Sequence, residues 1–220
     1  MELLKYYEQF FEILCVGGLL QPGGSYLDDK RSPVYLLQDD AEWDAVRGIV
    51  ETLKRVMQRY KYLQKPLEEN FLPDLLGYLS KWDTNQREKL ADATALLISD
   101  VGINARCLAS LTKDHVVKDN IGLQFFTSFA RTYLSKQSAE QLGSTLRRGG
   151  LTDIALLFPV QTRDRKHLEE HFKKENLPQI NEWYGKIAKA ETKDDTVSSI
   201  PRMIGEEEGN EQVREYPGVD

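Results

Sequence analysis

Two hundred and twenty residues at 25.3 kDa, 40% hydrophobic and 29% charged, make an ordinary water-soluble composition. A chain of this size buries ~70% of the surface it exposes when unfolded, with no need of disulfide, metal or lipid. The composition excludes collagen-like, disulfide-scaffold, wholly disordered and membrane-spanning classes. The net charge of -6 is spread unevenly, because residues 192–220 carry eight acids and three bases and leave the rest close to neutral. Residues 52–66 hold five bases and no acid, and residues 131–174 hold nine bases against five acids. Separated patches on a near-neutral body favour oriented docking, and a pI near 5.3 argues against a general nucleic-acid binder.

Taken in chain order, residues 3–20 carry a wide apolar stripe (Leu3, Tyr6, Tyr7, Phe10, Phe11, Ile13, Leu14) and predict a first helix, stopped by Gln21-Pro22-Gly23-Gly24. No basic n-region precedes this stretch, so no export signal is expected. Residues 25–40 form a surface loop in which Val34-Tyr35-Leu36-Leu37 pins one apolar patch. The spacing Trp43, Val46, Val50, Leu53, Met57, Tyr60, Leu63, Leu67 predicts a long helix reaching Pro66. Its near-heptad seam is too short for a zipper and suits one helix of a packed array.

A third helix passes through Phe71 and Leu75, with a kink or restart at Pro73, and a fourth follows a cap at Asp83 or Thr84. A short fifth spans about Ala105 to Thr112, and Asp114 caps His115-Val116-Val117. The segment Ile121 to Leu134 has the most aromatic face of the chain (Phe125, Phe126, Phe129, Tyr133) and must be deeply packed. Ser138 with Gln141 makes a capping box for a helix to Arg148, stopped by Gly149-Gly150. Leu151 to Phe158, residues 164–175 and residues 178–190 supply the last helices, and residues 192–220 lose periodicity and are expected to be an acidic, disordered tail. Nine or ten helices on short loops predict an all-α fold without a sheet, either a bundle or, preferably, a HEAT/ARM-like array of antiparallel helix pairs over residues 1–191.

Chemistry is sparse. No phosphate loop, dinucleotide fingerprint, nucleophile elbow or Cys-x-x-Cys occurs, and neither a cofactor nor a small-molecule substrate is expected. His167-Leu168-Glu169-Glu170-His171 has the form of an inverted zinc site, but Arg163, Arg165, Lys166, Lys173 and Lys174 crowd it, so a solvated helix face is the preferred reading and no metal is expected. Cys15 and Cys107 are read as small core residues and His115 as a helix-start residue; two unpaired cysteines and no Asn-x-Ser/Thr acceptor suit the cytoplasm. The candidate partner-binding residues are basic: Lys54, Arg55, Arg59, Lys61 and Lys65 with Tyr62, then Arg147 and Arg148, then Arg163, Arg165 and Lys166. A solvated helix back is the preferred reading of these residues; the alternative is a docking surface for an acidic protein or for RNA.

Several phrases, in order, carry a resemblance: Phe11-Glu12-Ile13-Leu14 leading to Gln21-Pro22-Gly23-Gly24, Asp28-Asp29, and Arg59-Tyr60-Lys61-Tyr62-Leu63-Gln64-Lys65. It continues through Leu142 to Arg148, Leu156-Leu157-Phe158-Pro159-Val160 and His171-Phe172. Together they resemble the N-terminal helical domain of the basic leucine zipper and W-two domain family, mimics of translation initiation factor five. The resemblance implies a HEAT/MIF4G-like helical fold, no enzyme activity, and a role in regulating translation initiation by binding initiation factors or the ribosomal preinitiation complex. The family's C-terminal W-two domain has no counterpart in these residues, so the factor mimicry that resides there is not expected of them, and no dimerisation is expected from the short seam.

Overall fold

A computed structural model describes residues 2–38 and 43–187. Among them the secondary structure is helical, with one isolated bridge between Leu20 and Tyr26 and no strand. The tail predicted for residues 192–220 lies outside the described residues.

A 3₁₀ turn, Glu2–Lys5, leads into α1, Tyr7–Val16, which Gly17 ends in the left-handed conformation (φ 81°) with its N–H on the Glu12 carbonyl. The glycine is required twice over, because a Cβ there would also stand 2.6 Å from the Tyr35 ring. The following loop turns back over α1: Leu36 and Leu37 donate their N–H groups to the carbonyls of Leu14 and Cys15 and are themselves fully buried. The apolar patch predicted in this loop is therefore what pins it. Helix α1 is shorter than the predicted 3–20, since Tyr6 lies in the bend that precedes it and is 62% exposed.

Helix α2, Trp43–Arg59, buries Val46, Ile49, Val50, Leu53 and Met57. It does not run to Pro66. The chain breaks at Tyr60 (φ -123°, ψ 67°), makes a 3₁₀ turn at Lys61–Leu63 and starts α3, which spans 64–77. Trp43, first in the predicted seam, is 45% exposed. Within α3 the segments Gln64–Pro66 and Leu72–Gly77 flank a π-helical turn, Leu67–Phe71, where the Leu72 N–H reaches the Leu67 carbonyl. Pro73 lacks an N–H and its ring would meet the carbonyl one turn back; widening the preceding turn relieves that contact, so the expected kink takes the form of a π-bulge.

Helix α4, Thr84–Leu96, starts at a capping box in which Asp83 accepts from the Gln86 N–H and Gln86 returns the bond, then continues through a π-helical turn, Leu97–Val101, to Gly102. From Lys89 onward it is buried nearly all round, and it packs most extensively on α6. Between them lie a 3₁₀ segment, Ala105–Thr112, in place of the predicted fifth helix, and the short α5, Asp114–Val117. Helix α6, Ile121–Leu134, carries Phe125, Phe126 and Phe129 into the core, each at most 1% exposed. Helix α7, Ala139–Arg148, has the predicted capping box, and Gly150, not Gly149, adopts the left-handed stop (φ 88°).

The predicted helix at 151–158 is a 3₁₀ turn, Ile154–Leu157; α8, Arg165–Lys174, and α9, residues 178–187, close the described array. Phe172 of α8 meets Phe126 edge-on at 6.2 Å. Beside it His171 is half-buried, with Nε2 at 2.9 Å from the Thr127 hydroxyl. That hydroxyl gives its proton to the Leu123 carbonyl at 2.8 Å, so it accepts from His171, which fixes the imidazole with its proton on Nε2.

Helix α9 docks through Trp183, whose indole edge occupies the space that a Cβ at Gly143 would need. Gly143→Ala should therefore force α9 off α7, costing ~1–3 kcal/mol; chemical denaturation followed by tryptophan emission measures this. Burial, with the Lys174 charge adding and Glu175 opposing, holds the His171 imidazole below its ordinary 6.5. The unfolded chain then takes up the proton first, so stability is complete above about pH 6.5 and falls as pH drops below it. Denaturation midpoints measured from about pH 7 to about pH 5 should show a shallower loss for His171→Gln, whose amide can still donate, than for the parent.

Candidate docking surface

The basic residues predicted to bind partners do not form one patch. On α2, Lys54 and Arg55 both lie by Glu51, at 3.7 and 3.5 Å, and on α3 Lys65 lies 3.8 Å from Glu69, which also takes Arg106 at 3.2 Å. These are exposed pairs that add little stability but cancel much of the positive field expected from the sequence run. Arg59 lies over the Tyr60 ring at 5.8 Å, and Tyr62, 38% exposed, meets Tyr60 edge-on. Lys61 is exposed in the 3₁₀ turn between them.

The later group divides as well. Arg163 donates from Nε to the Phe158 carbonyl at 3.2 Å and so closes the turn before α8, a structural use of its guanidinium. Arg165 and Lys166 are paired one turn on with Glu169 and Glu170. Arg147 and Arg148 end α7, where their charge complements the helix C-terminus.

Around Arg148 the structure assembles what the sequence keeps apart. Two cavities of about 330 and 360 Å³ share Ile98, Thr145 and Arg148 and together make a groove across the end of α4. One arm is edged by Gln64 and Asn104, the other by Gln137, Gln141 and Ser144. Both acids in the groove are already engaged: Glu68 accepts from Gln64 and from the Asn104 N–H, and Glu140 pairs with Lys186. Arg148 itself bonds Thr145 Oγ1 at 3.3 Å and has no carboxylate partner among the described residues. Nearby, burial works against the charge of Asp100, but hydrogen bonds from Lys136 and Ser99 and the charges of Lys136 and Lys54 hold its carboxyl below the usual range. Of the predicted basic residues only Arg148 lines the groove; Arg163, Arg165 and Lys166 belong to α8 and the turn before it. Lys136, Gln64 and Gln137 were missed in the sequence, since an isolated lysine and scattered amides have no pattern until the helices stack.

The remaining reactive side chains are otherwise occupied. Cys15 and Cys107 are buried, and burial pushes each thiol up to about 12, far from a nucleophile's range. His167 Nδ1 bonds Asp164, whose carboxylate also caps α8 through the His167 N–H, while His171 faces Thr127, so the two imidazoles of the zinc-like motif serve different partners. No group of three or more potential metal ligands occurs among the described residues, and no described helix is long and apolar enough to cross a membrane.

Comparison with known proteins agrees with this architecture. The sequence profile described as "5MP1/2 HEAT domain" matches residues 1–194. Curated relatives include eIF5-mimic protein 2-B of Danio rerio, 28% identical over 187 residues, which cover 83% of this chain and 44% of the relative. Others are eIF5-mimic protein 1 of Gallus gallus, 27% identical over 190 residues (83% and 45%), and eIF5-mimic protein 2 of Homo sapiens, 26% identical over 185 residues (83% and 44%). The chain spans less than half the length of these relatives. No solved structure matches. An all-helical array of this order, matched over nearly all of its described length, belongs to the 5MP1/2 HEAT domain family.

Proposed function

We propose that the chain is a non-enzymatic regulator of translation initiation, a cytoplasmic helical scaffold that docks on initiation factors or on the preinitiation complex. Family membership supplies the biological setting, since the relatives are named as mimics of an initiation factor. The observation that carries the docking role is the groove at Arg148: a guanidinium without a carboxylate partner among the described residues, flanked by amide and hydroxyl side chains that can bond a polypeptide backbone. Buried, protonated thiols, and a His171 imidazole that donates to the Thr127 hydroxyl instead of taking its proton, support the non-enzymatic reading.

Affinity capture of the tagged chain from cell extract at two salt concentrations, with nuclease as a control, tests the proposal. Initiation factors should be retained after nuclease treatment, and Arg147→Glu with Arg148→Glu should weaken that retention about tenfold or more. Capture that disappears with nuclease and falls steeply with salt would support RNA contact in its place. A parent chain that recovers no initiation factor or ribosomal subunit would count against both.

Arg163→Ala serves as the contrasting variant. Loss of its bond to the Phe158 carbonyl should lower stability by about 1 kcal/mol while leaving capture unchanged once the protein is folded. Thermal denaturation alongside the capture experiment separates the two effects.

A further inference from the structure

A further cavity, of about 280 Å³, opens between α1, the turn at Leu20–Pro22 and α3. Its lining combines the rings of Tyr7, Phe71 and Tyr78 with the carboxylates of Glu8, Glu12 and Asp74. Glu12 is the informative one. It is 8% exposed, and its carboxylate is supported by the Leu20 backbone and by no side chain. No lysine, arginine or histidine lines the cavity, and none of the three acids takes part in an ion pair among the described residues. Burial, opposed by the hydrogen bond from the Leu20 backbone and reinforced by the charge of Glu8, pushes the Glu12 carboxyl up.

A buried carboxylate is ordinarily matched by a cation with hydrogen-bonding capacity, and aromatic walls restrict which cation suits it. An ammonium is compact and strongly hydrated, whereas a guanidinium is planar, weakly hydrated, stacks on rings and offers N–H groups to two carboxylates at once. The same chain already makes such a stack, with the Arg31 guanidinium 3.3 Å from the centre of the Tyr26 ring. We infer that this cavity is a binding site for an arginine side chain presented by a partner polypeptide, held between the tyrosine rings and the carboxylates of Glu12 and Asp74. The walls are set by the fold: Gly24 (φ 81°) lies so close to the Tyr78 ring that a Cβ there would stand 2.6 Å away, which holds the turn and the ring together.

The test is a titration of the ¹⁵N-labelled chain with the acetylated, amidated peptide Gly-Ser-Arg-Ser-Gly and with its lysine and citrulline counterparts. Saturable amide shifts are expected around Glu12, Leu20 and Asn70, with the lysine peptide about tenfold weaker and the neutral citrulline peptide inactive. Glu12→Gln and the exposed Asp74→Asn should each weaken the arginine peptide about tenfold. Should Glu12→Gln fail to fold, Asp74→Asn alone decides the matter. Absence of saturable shifts at these positions, equal binding of the citrulline peptide, or unchanged affinity in a folded variant would overturn the assignment. None of these residues borders the Arg148 groove, so failure here leaves the capture of initiation factors untouched, and failure of capture leaves this site standing.

Discussion

The packing of α4 against α6 is the constraint on which the rest of the array depends. Helix α4 contributes Ala91, Ala93, Thr94 and Ala95, all at most 1% exposed, and α6 contributes Phe125, Phe126 and Phe129. Small residues on one helix admit large rings from the other at close approach, and few other distributions of volume fill such a contact without a void. The polar positions of the pair are also satisfied within it. Thr94 and Thr127 bond carbonyls of their own helices, and the Thr132 hydroxyl reaches Asp92 across the contact. Burial raises the Asp92 carboxyl while that hydroxyl lowers it, a compromise that holds a titratable group at the seam.

From this centre the array extends in two directions with different degrees of tightness. Towards the C-terminus, α7 and α8 are fitted to α6 by aromatic and threonine contacts, and α9 is fitted to α7 by a tryptophan over a glycine. Towards the N-terminus, α1 is held by a loop whose backbone bonds do much of the attachment, and a cavity remains between α1 and α3. The two grooves lie where elements meet imperfectly: one at the end of α4, the other beside α1. Stacked-helix architectures create such seams as a matter of geometry, and the chemistry of each seam is then free to vary with the side chains that edge it.

The fold class was legible in the sequence because helical periodicity and helix caps are local signals. The capping box at Ser138, the aromatic face of 121–134 and the pinning role of Leu36 and Leu37 all appear as the pattern suggests. Boundaries were less legible where local and tertiary preferences compete. An apolar seam from Trp43 to Leu67 continues in register through Tyr60, yet the chain turns there, since Leu63 and Leu67 belong to the next helix's core contacts. The docking surface was the least legible part. Charge runs such as 54–65 stand out in a sequence, but their acid partners at Glu51 and Glu69 lie a turn away, and the side chains that edge the Arg148 groove are drawn from three separate stretches.

The two cysteines give this molecule a property of their own. Cys15 lies on α1 and Cys107 in the segment Ala105–Thr112, both sealed from solvent and both protonated at neutral pH. A thiol in that state reacts with an alkylating reagent only during the moments when its own part of the structure opens. The natural chain therefore carries two built-in clocks, one on the loosely attached first helix and one nearer the centre. The ratio of their alkylation rates compares how often the first helix opens with how often the segment nearer the centre does, with no residue changed.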